Sequence, residues 1–220
     1  MIKVILFDVS GTLIDPESSE RAHKLIISKI LETYDESLIN EVFEKFNTKV
    51  SEIFNKMSSE GSYLEYYRIC YRALKDVLGS RMRLDEKEYK RMYIETLSDV
   101  EMLFPGVKEA LKYLKERGYT LGIITDGDRD YTETLLERKG IKHFFDVIVS
   151  AEDVRKYKPS KEPFLKALKV LDINPEQALY IGDNPVKDKR GPELLGIRAY
   201  IVENGVTKDK IIKILGEEHE

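Results

Sequence analysis

Val4-Ile5-Leu6-Phe7 is an unbroken apolar run that ends at Asp8, and the second half of the chain repeats this device four times. The later runs are Leu121–Thr125, Val147–Ser150, Ala178–Ile181 and Ala199–Val202. Runs this short, apolar at every position, belong to strands buried on both faces of a parallel sheet. Between them lie segments with helical spacing. Val107, Ala110, Leu111 and Leu114 share one face before Gly118; Tyr131, Leu135 and Leu136 precede Gly140; Phe164, Leu165, Leu168 and Leu171 mark a third helix. Strand–helix alternation with short links predicts an α/β fold, a doubly wound parallel sheet.

The stretch between the first and second strands has a different period. Ala22, Leu25, Ile26 and Ile30 fall on one helical face, and Leu38, Val42, Phe46, Val50, Ile53 and Met57 continue at three- and four-residue steps. Tyr63, Tyr67, Cys70, Leu74 and Leu78 do the same after Gly61. An all-helical insert over 16–100 is therefore expected, with 1–15 and 101–220 forming the α/β domain and Phe104-Pro105-Gly106 marking the return. Tyr63–Tyr71 reads as core or as the insert's contact face, and Cys70 as core filling.

In such a sheet the functional groups gather at the carboxyl ends of the strands. Those ends carry Asp8 with Ser10, Thr125-Asp126-Gly127, and Gly182-Asp183 with Asp188 five residues on. Lys158 lies in the loop before the helix that begins near Pro163. A carboxylate can attack an electrophilic centre. The Thr125 hydroxyl, the backbone N–H groups of Asp126 and Gly127, and the Lys158 ammonium can bind an anion. Asp8 and Asp183 repel each other, and a hard cation with oxygen ligands, Mg²⁺ foremost, would relieve that.

These segments resemble the four motifs of the haloacid dehalogenase (HAD) superfamily. Val4 to Leu13, with Asp8-Val9-Ser10-Gly11-Thr12 at its centre, is similar to the first; Thr125 after its strand to the second; Lys158-Pro159 to the third; and Gly182-Asp183-Asn184-Pro185-Val186-Lys187-Asp188 to the fourth. The helical insert matches the family's C1-type cap, so a Rossmann-like HAD core is expected. The resemblance implies that Asp8 is nucleophile and metal ligand, that the Ser10 carbonyl and Asp183 join it, and that Asp188 belongs to the same metal group, holding Asp183 or Lys158 in place. Thr125 and Lys158 would bind the phosphoryl oxygens of a small phosphorylated metabolite.

Ser10 departs from the pattern. Phosphatases of the family carry a second Asp there, which protonates the leaving oxygen; a well-placed acid–base group is worth about 10²–10⁴ in rate. Three readings follow: a phosphohydrolase for leaving groups that need little protonation, a 2-haloacid dehalogenase (Tyr157-Lys158-Pro159 also resembles those relatives), and a non-catalytic ligand-binding relative. The Gly182-Asp183…Asp188 group, and the lack of any Arg between Arg21 and Arg68 to hold a haloacid carboxylate, place the Mg²⁺-dependent phosphatase first.

Composition narrows the partners. Net charge is −4 with the signs interspersed, so no basic block points to nucleic acid. One cysteine excludes a disulfide framework, and no apolar run reaches membrane-spanning length. The expectation is a cytoplasmic enzyme, monomer or homodimer, without nucleic-acid or membrane partners. The three histidines, His23, His143 and His219, are scattered, which argues against a histidine metal site.

Overall fold

The computed structural model describes residues 1–216; Glu217–Glu220, read from the sequence as a frayed tail, and His219 lie outside the described residues. Five strands, β1 (Val4–Phe7), β2 (Thr120–Thr125), β3 (Val147–Ser150), β4 (Ala178–Gly182) and β5 (Arg198–Ile201), form one parallel sheet in the order β3-β2-β1-β4-β5. Alternation sets its two faces. Ile5 and Phe7 of β1 join one core, which receives Leu111 and Leu114, Leu135 and Leu136, and Ile211 and Ile212. Val4 and Leu6 join the other, filled by Phe164, Ala167 and Leu168. Each such side chain removed from water contributes about 1.5–3 kcal/mol.

Helices α1 (Pro16–Leu31), α2 (Glu36–Ser59), α3 (Tyr66–Leu78) and α4 (Glu86–Val100) fill the stretch between β1 and the return to the sheet. Then follow α5 (Val107–Glu116), α6 (Arg129–Arg138), α7 (Ala151–Val154), α8 (Glu162–Leu171), α9 (Gly191–Glu193) and α10 (Lys208–Leu215). The first four share their own apolar cluster around Ile26, Phe46, Cys70, Leu74, Tyr89 and Tyr93. Leu25, expected on the buried face of α1, is exposed; Ile27 takes that place. In α2 the buried stripe runs through Ile39, Val42, Phe43, Phe46 and Val50, so Ile39 rather than Leu38 leads it.

Asp15, Asp35 and Asp85 cap α1, α2 and α4 by accepting from Glu17 N, Leu38 N and Glu88 N. Glu65 gives α3 no such cap. Its free N–H groups are taken from across the cleft: the Asp128 carboxylate, just ahead of α6, accepts from Tyr66 N at 2.7 Å and Tyr67 N at 2.8 Å. The two links to the insert run side by side, with Ile14 bridged antiparallel to Leu103 and Asp15 N donating to Met102 O at 2.9 Å.

The chain leaves β1 towards β2 and leaves β4 towards β5, so the strand order reverses between β1 and β4. That crevice lies beyond the carboxyl ends of both strands, where open α/β sheets bind ligands. Asp8 and Asp183 are the first residues past those two ends.

Candidate active site

The floor of the crevice is built around one buried lysine. Lys158, 2% exposed, places Nζ 2.8 Å from Asp8 Oδ1, 2.6 Å from Asp188 Oδ1 and 2.9 Å from the Tyr180 hydroxyl. The other Asp188 oxygen accepts from Asp183 N at 3.2 Å and Asn184 N at 3.0 Å. Asp188 thus fixes both the lysine and the loop that carries Asp183. It stands on a π-helical turn, Pro185–Arg190, entered through Asn184, whose Oδ1 accepts from Val186 N and Lys187 N. Two glycines admit this crowding. Gly11 has φ +75°, and a Cβ there would lie 2.3 Å from Asp183 Oδ2; a Cβ on Gly182 would lie 2.3 Å from Asp188 Cβ.

Two carboxylates therefore share one ammonium, and a third stands beside them. Oxygens of Asp8, Asp183 and Asp188 lie within 4.8 Å of one another. Burial pushes the Asp8 carboxyl up to about 7; Lys158 opposes that rise and Asp188 adds to it. Burial and Asp188 also raise Asp183. Burial works against the charge on Lys158, but Asp8, Tyr180, Asp188 and Asp126 outweigh it and hold the ammonium well above its ordinary range. An all-oxygen group with surplus negative charge suits a hard divalent cation. Asp188 has both oxygens engaged by protein donors, so Asp8 and Asp183 are the carboxylates left to meet one.

Above the floor, the crevice widens into a cavity of about 480 Å³ shared with the insert. Helix α1 contributes Ser19, Glu20 and His23, one face of the helix, and α2 contributes Phe43 and Asn47. Tyr66, Tyr93 and Leu97 complete the insert's side, with Glu101 from the link after α4 and Tyr131 from α6. His23 is pushed down to about 4 by burial and is neutral. Lys187 reaches in from the π-helical turn, 3.0 Å from Asp126 Oδ2 and over the Phe54 ring.

A family model described as haloacid dehalogenase-like hydrolase matches residues 5–202. The chain belongs to the haloacid dehalogenase-like hydrolases. Among the HAD relatives in sequence are the pyrophosphatase PpaX of Bacillus mycoides, 32% identical over 190 residues (83% of this chain, 75% of the relative), and that of Bacillus cereus, 30% identical over 188 residues. Solved HAD structures superpose over nearly the whole chain. The L-2-haloacid dehalogenase of Xanthobacter autotrophicus gives a TM-score of 0.74 at 20% identity, covering 99% of this chain and 84% of its own. The magnesium-bound HAD-hydrolase YfnB of Bacillus subtilis gives 0.77 at 22% identity, covering 98% and 99%. At these identities the likeness is one of fold.

Within this HAD hydrolase, Asp8, Ser10, Thr125, Asp126, Gly127, Lys158, Asp183 and Asp188 all line the same cavity. One expectation needs correction in detail. The Gly127 N–H donates to Thr125 Oγ1 at 3.1 Å, because the threonine closes a tight turn over its own loop; in this arrangement that N–H does not face the cavity as an anion donor. The Asp126 side chain also accepts from Lys158 N at 2.8 Å and pairs with Lys187. Asp128, just ahead of α6, turns its side chain to the N-terminus of α3. Tyr157 packs on Phe54 and Tyr63 and donates its hydroxyl to Leu64 O, away from the floor.

Tyr180, Lys187, Glu101 and Tyr131 escaped the sequence reading. Tyr180 sits inside a strand whose other residues are apolar or small, and that lone hydroxyl was the signal available. Lys187 lies between Asp183 and Asp188, inside a motif whose acids drew attention first. Nothing in the local sequence marks Glu101 or Tyr131. Among the described residues no helix is long and apolar enough to cross a membrane.

Proposed function

We propose that this chain is a Mg²⁺-dependent phosphohydrolase that transfers the phosphoryl group of a small metabolite to Asp8 and then to water. The observation that carries the reading is the carboxylate group of Asp8, Asp183 and Asp188 gathered around buried Lys158. Residues 16–100 are taken as the cap over this site. A Mg²⁺ ion held by Asp8, Asp183 and the Ser10 carbonyl would offset the carboxylate surplus and the charge of the phosphoryl oxygens.

Lys158 holds Asp8 Oδ1 and leaves the second carboxylate oxygen to attack phosphorus. The P–O bond to the leaving group breaks as the Asp8–phosphorus bond forms, and the leaving oxygen carries away the electron pair. Water then attacks phosphorus, releasing inorganic phosphate and restoring Asp8. The Thr125 hydroxyl donates to the phosphoryl oxygens, while Lys158, whose three N–H groups are held by Asp8, Asp188 and Tyr180, offsets their charge from the floor. Ser10 cannot protonate the leaving oxygen at neutral pH, so weakly basic leaving groups are favoured. The PpaX relatives, named as pyrophosphatases, support phosphoryl chemistry.

Dehalogenation is the second reading, favoured by Ser10, since halide leaves without a proton, and by the resemblance of Tyr157-Lys158-Pro159 to those relatives. It gives no account of why Asp183 is held beside Asp8 or why Asp188 locks its loop.

The test is p-nitrophenyl phosphate hydrolysis with and without Mg²⁺, beside Asp8→Asn. Turnover that needs both Mg²⁺ and Asp8 is expected. Equal rates for the two proteins would remove the reading, and EDTA-resistant chloride release from 2-chloropropionate would put the dehalogenase in its place.

A further inference from the structure

The cavity above the floor has a charge pattern of its own. The basic groups among the cavity-lining residues are Lys158 and Lys187, both from the sheet domain, and both are engaged by floor carboxylates. The insert places no lysine or arginine among the lining residues described. Its Glu20 is answered from outside the cavity by Lys24, at 2.6 Å.

Glu101 is different. It is 2% exposed, it lines the cavity from the link after α4, and it has no ion-pair partner among the described residues. Ser19 Oγ donates to Glu101 Oε1 at 2.7 Å, and the Tyr131 hydroxyl donates to Oε2. Each hydroxyl spends its proton on Glu101, so each can offer the cavity only lone pairs. The carboxylate and its two hydroxyls together make an acceptor surface. Burial raises the Glu101 carboxyl, while these two donors and, after them, the charge of Lys139 oppose the rise. Phe43, Tyr66 and Tyr93 supply flat apolar and aromatic area on the insert's side of the same cavity.

A buried carboxylate beside acceptor-only hydroxyls attracts a cation and repels an anion, and the low dielectric of the site strengthens both effects. Aromatic faces add to the attraction for ammonium. We infer that the substrate is a phosphomonoester whose leaving group carries a protonated amine on an apolar or aromatic body, with Glu101 as the residue that reads the charge. This rests on the phosphohydrolase reading. Within that reading it separates two leaving groups that Ser10 alone leaves equal, since a phenol and a second phosphate both depart without strong acid help. A second phosphate, the leaving group implied by the name of the PpaX relatives, would bring its charge against Glu101 with no lysine or arginine of the insert among the described lining residues to meet it.

The experiment compares kcat/KM for three phosphates with Mg²⁺ present. Phosphotyramine and the phosphate of 3-(4-hydroxyphenyl)propionate share an alkylphenol leaving group and differ in the sign of the distant charge. p-Nitrophenyl phosphate is the reference. Phosphotyramine is expected to exceed its anionic partner by about tenfold or more. Glu101→Gln, which keeps an acceptor but removes the charge, should bring the two towards equality. Turnover of p-nitrophenyl phosphate with an equal or reversed ratio in the unmodified protein overturns this inference alone. Absence of turnover on all three, Mg²⁺ present, overturns the phosphohydrolase reading and this one with it. The wild-type ratio decides the matter even if the variant folds poorly.

Discussion

Asp188 Oδ1 lies 2.6 Å from Lys158 Nζ, and both side chains are sealed from water at the base of the crevice. Neither can lose the other cheaply. Lys158→Met would strand Asp8 and Asp188 as adjacent buried acids, and breaking a buried pair from one side costs about 3–5 kcal/mol. Urea unfolding should show a loss of that order, and aryl phosphate turnover should fall by roughly 10²-fold or more as the positive charge beside the phosphoryl group disappears. Asp188→Asn should damage both properties as well. The double variant should lose less stability than the two singles summed, because each single strands a charge that the double removes. Strict additivity would show that the two do not act as a unit.

Gly11 gives a second, independent prediction. It combines a left-handed backbone with a contact against Asp183 that no side chain fits. Gly11→Ala should cost about 1–2 kcal/mol for the backbone alone. The methyl would also drive the Asp183 carboxylate out of place, so the variant should lose the thermal stabilisation by Mg²⁺ expected of the unmodified protein. Thermal melts with and without Mg²⁺ check this; unchanged stabilisation would mean that Asp183 plays no part in holding the cation.

The parallel sheet was readable because burial on both faces leaves apolar runs such as Val4–Phe7, and those runs end at the polar residues that matter. The helical insert was readable for the complementary reason, apolar residues three and four apart in place of unbroken runs. The buried face of α1 differs from the expected one at Leu25, because Ile26 and Ile27 already fill the stripe. What escaped were relationships between distant segments. Asp128 caps a helix 62 residues earlier in the chain, and Tyr131 reaches Glu101 across 30 residues. No local pattern encodes such contacts; they exist only after the insert has docked. Lys187 was hidden by the turn it rides on, since a π-helical turn does not follow the spacing used to read helices.

The Asp128 contact carries a pH dependence. Burial raises its carboxyl from the ordinary 3.8 to about 6, with the two Tyr66 and Tyr67 N–H donors opposing and Asp130 and Glu152 adding to the rise. The folded state therefore binds the proton more tightly than the unfolded chain. The stability tied to that proton is fully present below pH 4 and is lost as pH rises to about 6, on the order of 3 kcal/mol at most. Asp128→Asn stays uncharged at every pH and keeps one acceptor for α3. Its stability relative to the unmodified protein should rise between pH 4 and 6 and level off above 7. Urea titrations across that range, read as the difference between the two proteins, cancel other titrating groups such as Asp8. A flat difference would show that the carboxylate is not penalised by its burial.

Ser10 gives the last prediction. Its side chain is exposed on the cavity floor beside Asp8, and no neighbour holds its hydroxyl among the described contacts. A carboxyl can therefore be placed there without displacing packed atoms. The new charge would join Asp8 and Asp183, whose carboxyls are already raised by burial, and that crowding favours the protonated form an acid catalyst needs. If the chemistry lacks only a proton for the leaving oxygen, Ser10→Asp should raise turnover of alkyl phosphates by up to about 10²–10⁴ and change aryl phosphate turnover far less, because phenols leave without that help. The ratio of alkyl to aryl kcat/KM in the variant is the measurement. An unchanged ratio would mean that the cavity cannot bring an alkyl leaving oxygen within reach of position 10, so that the serine is matched to its wall and is not a missing part.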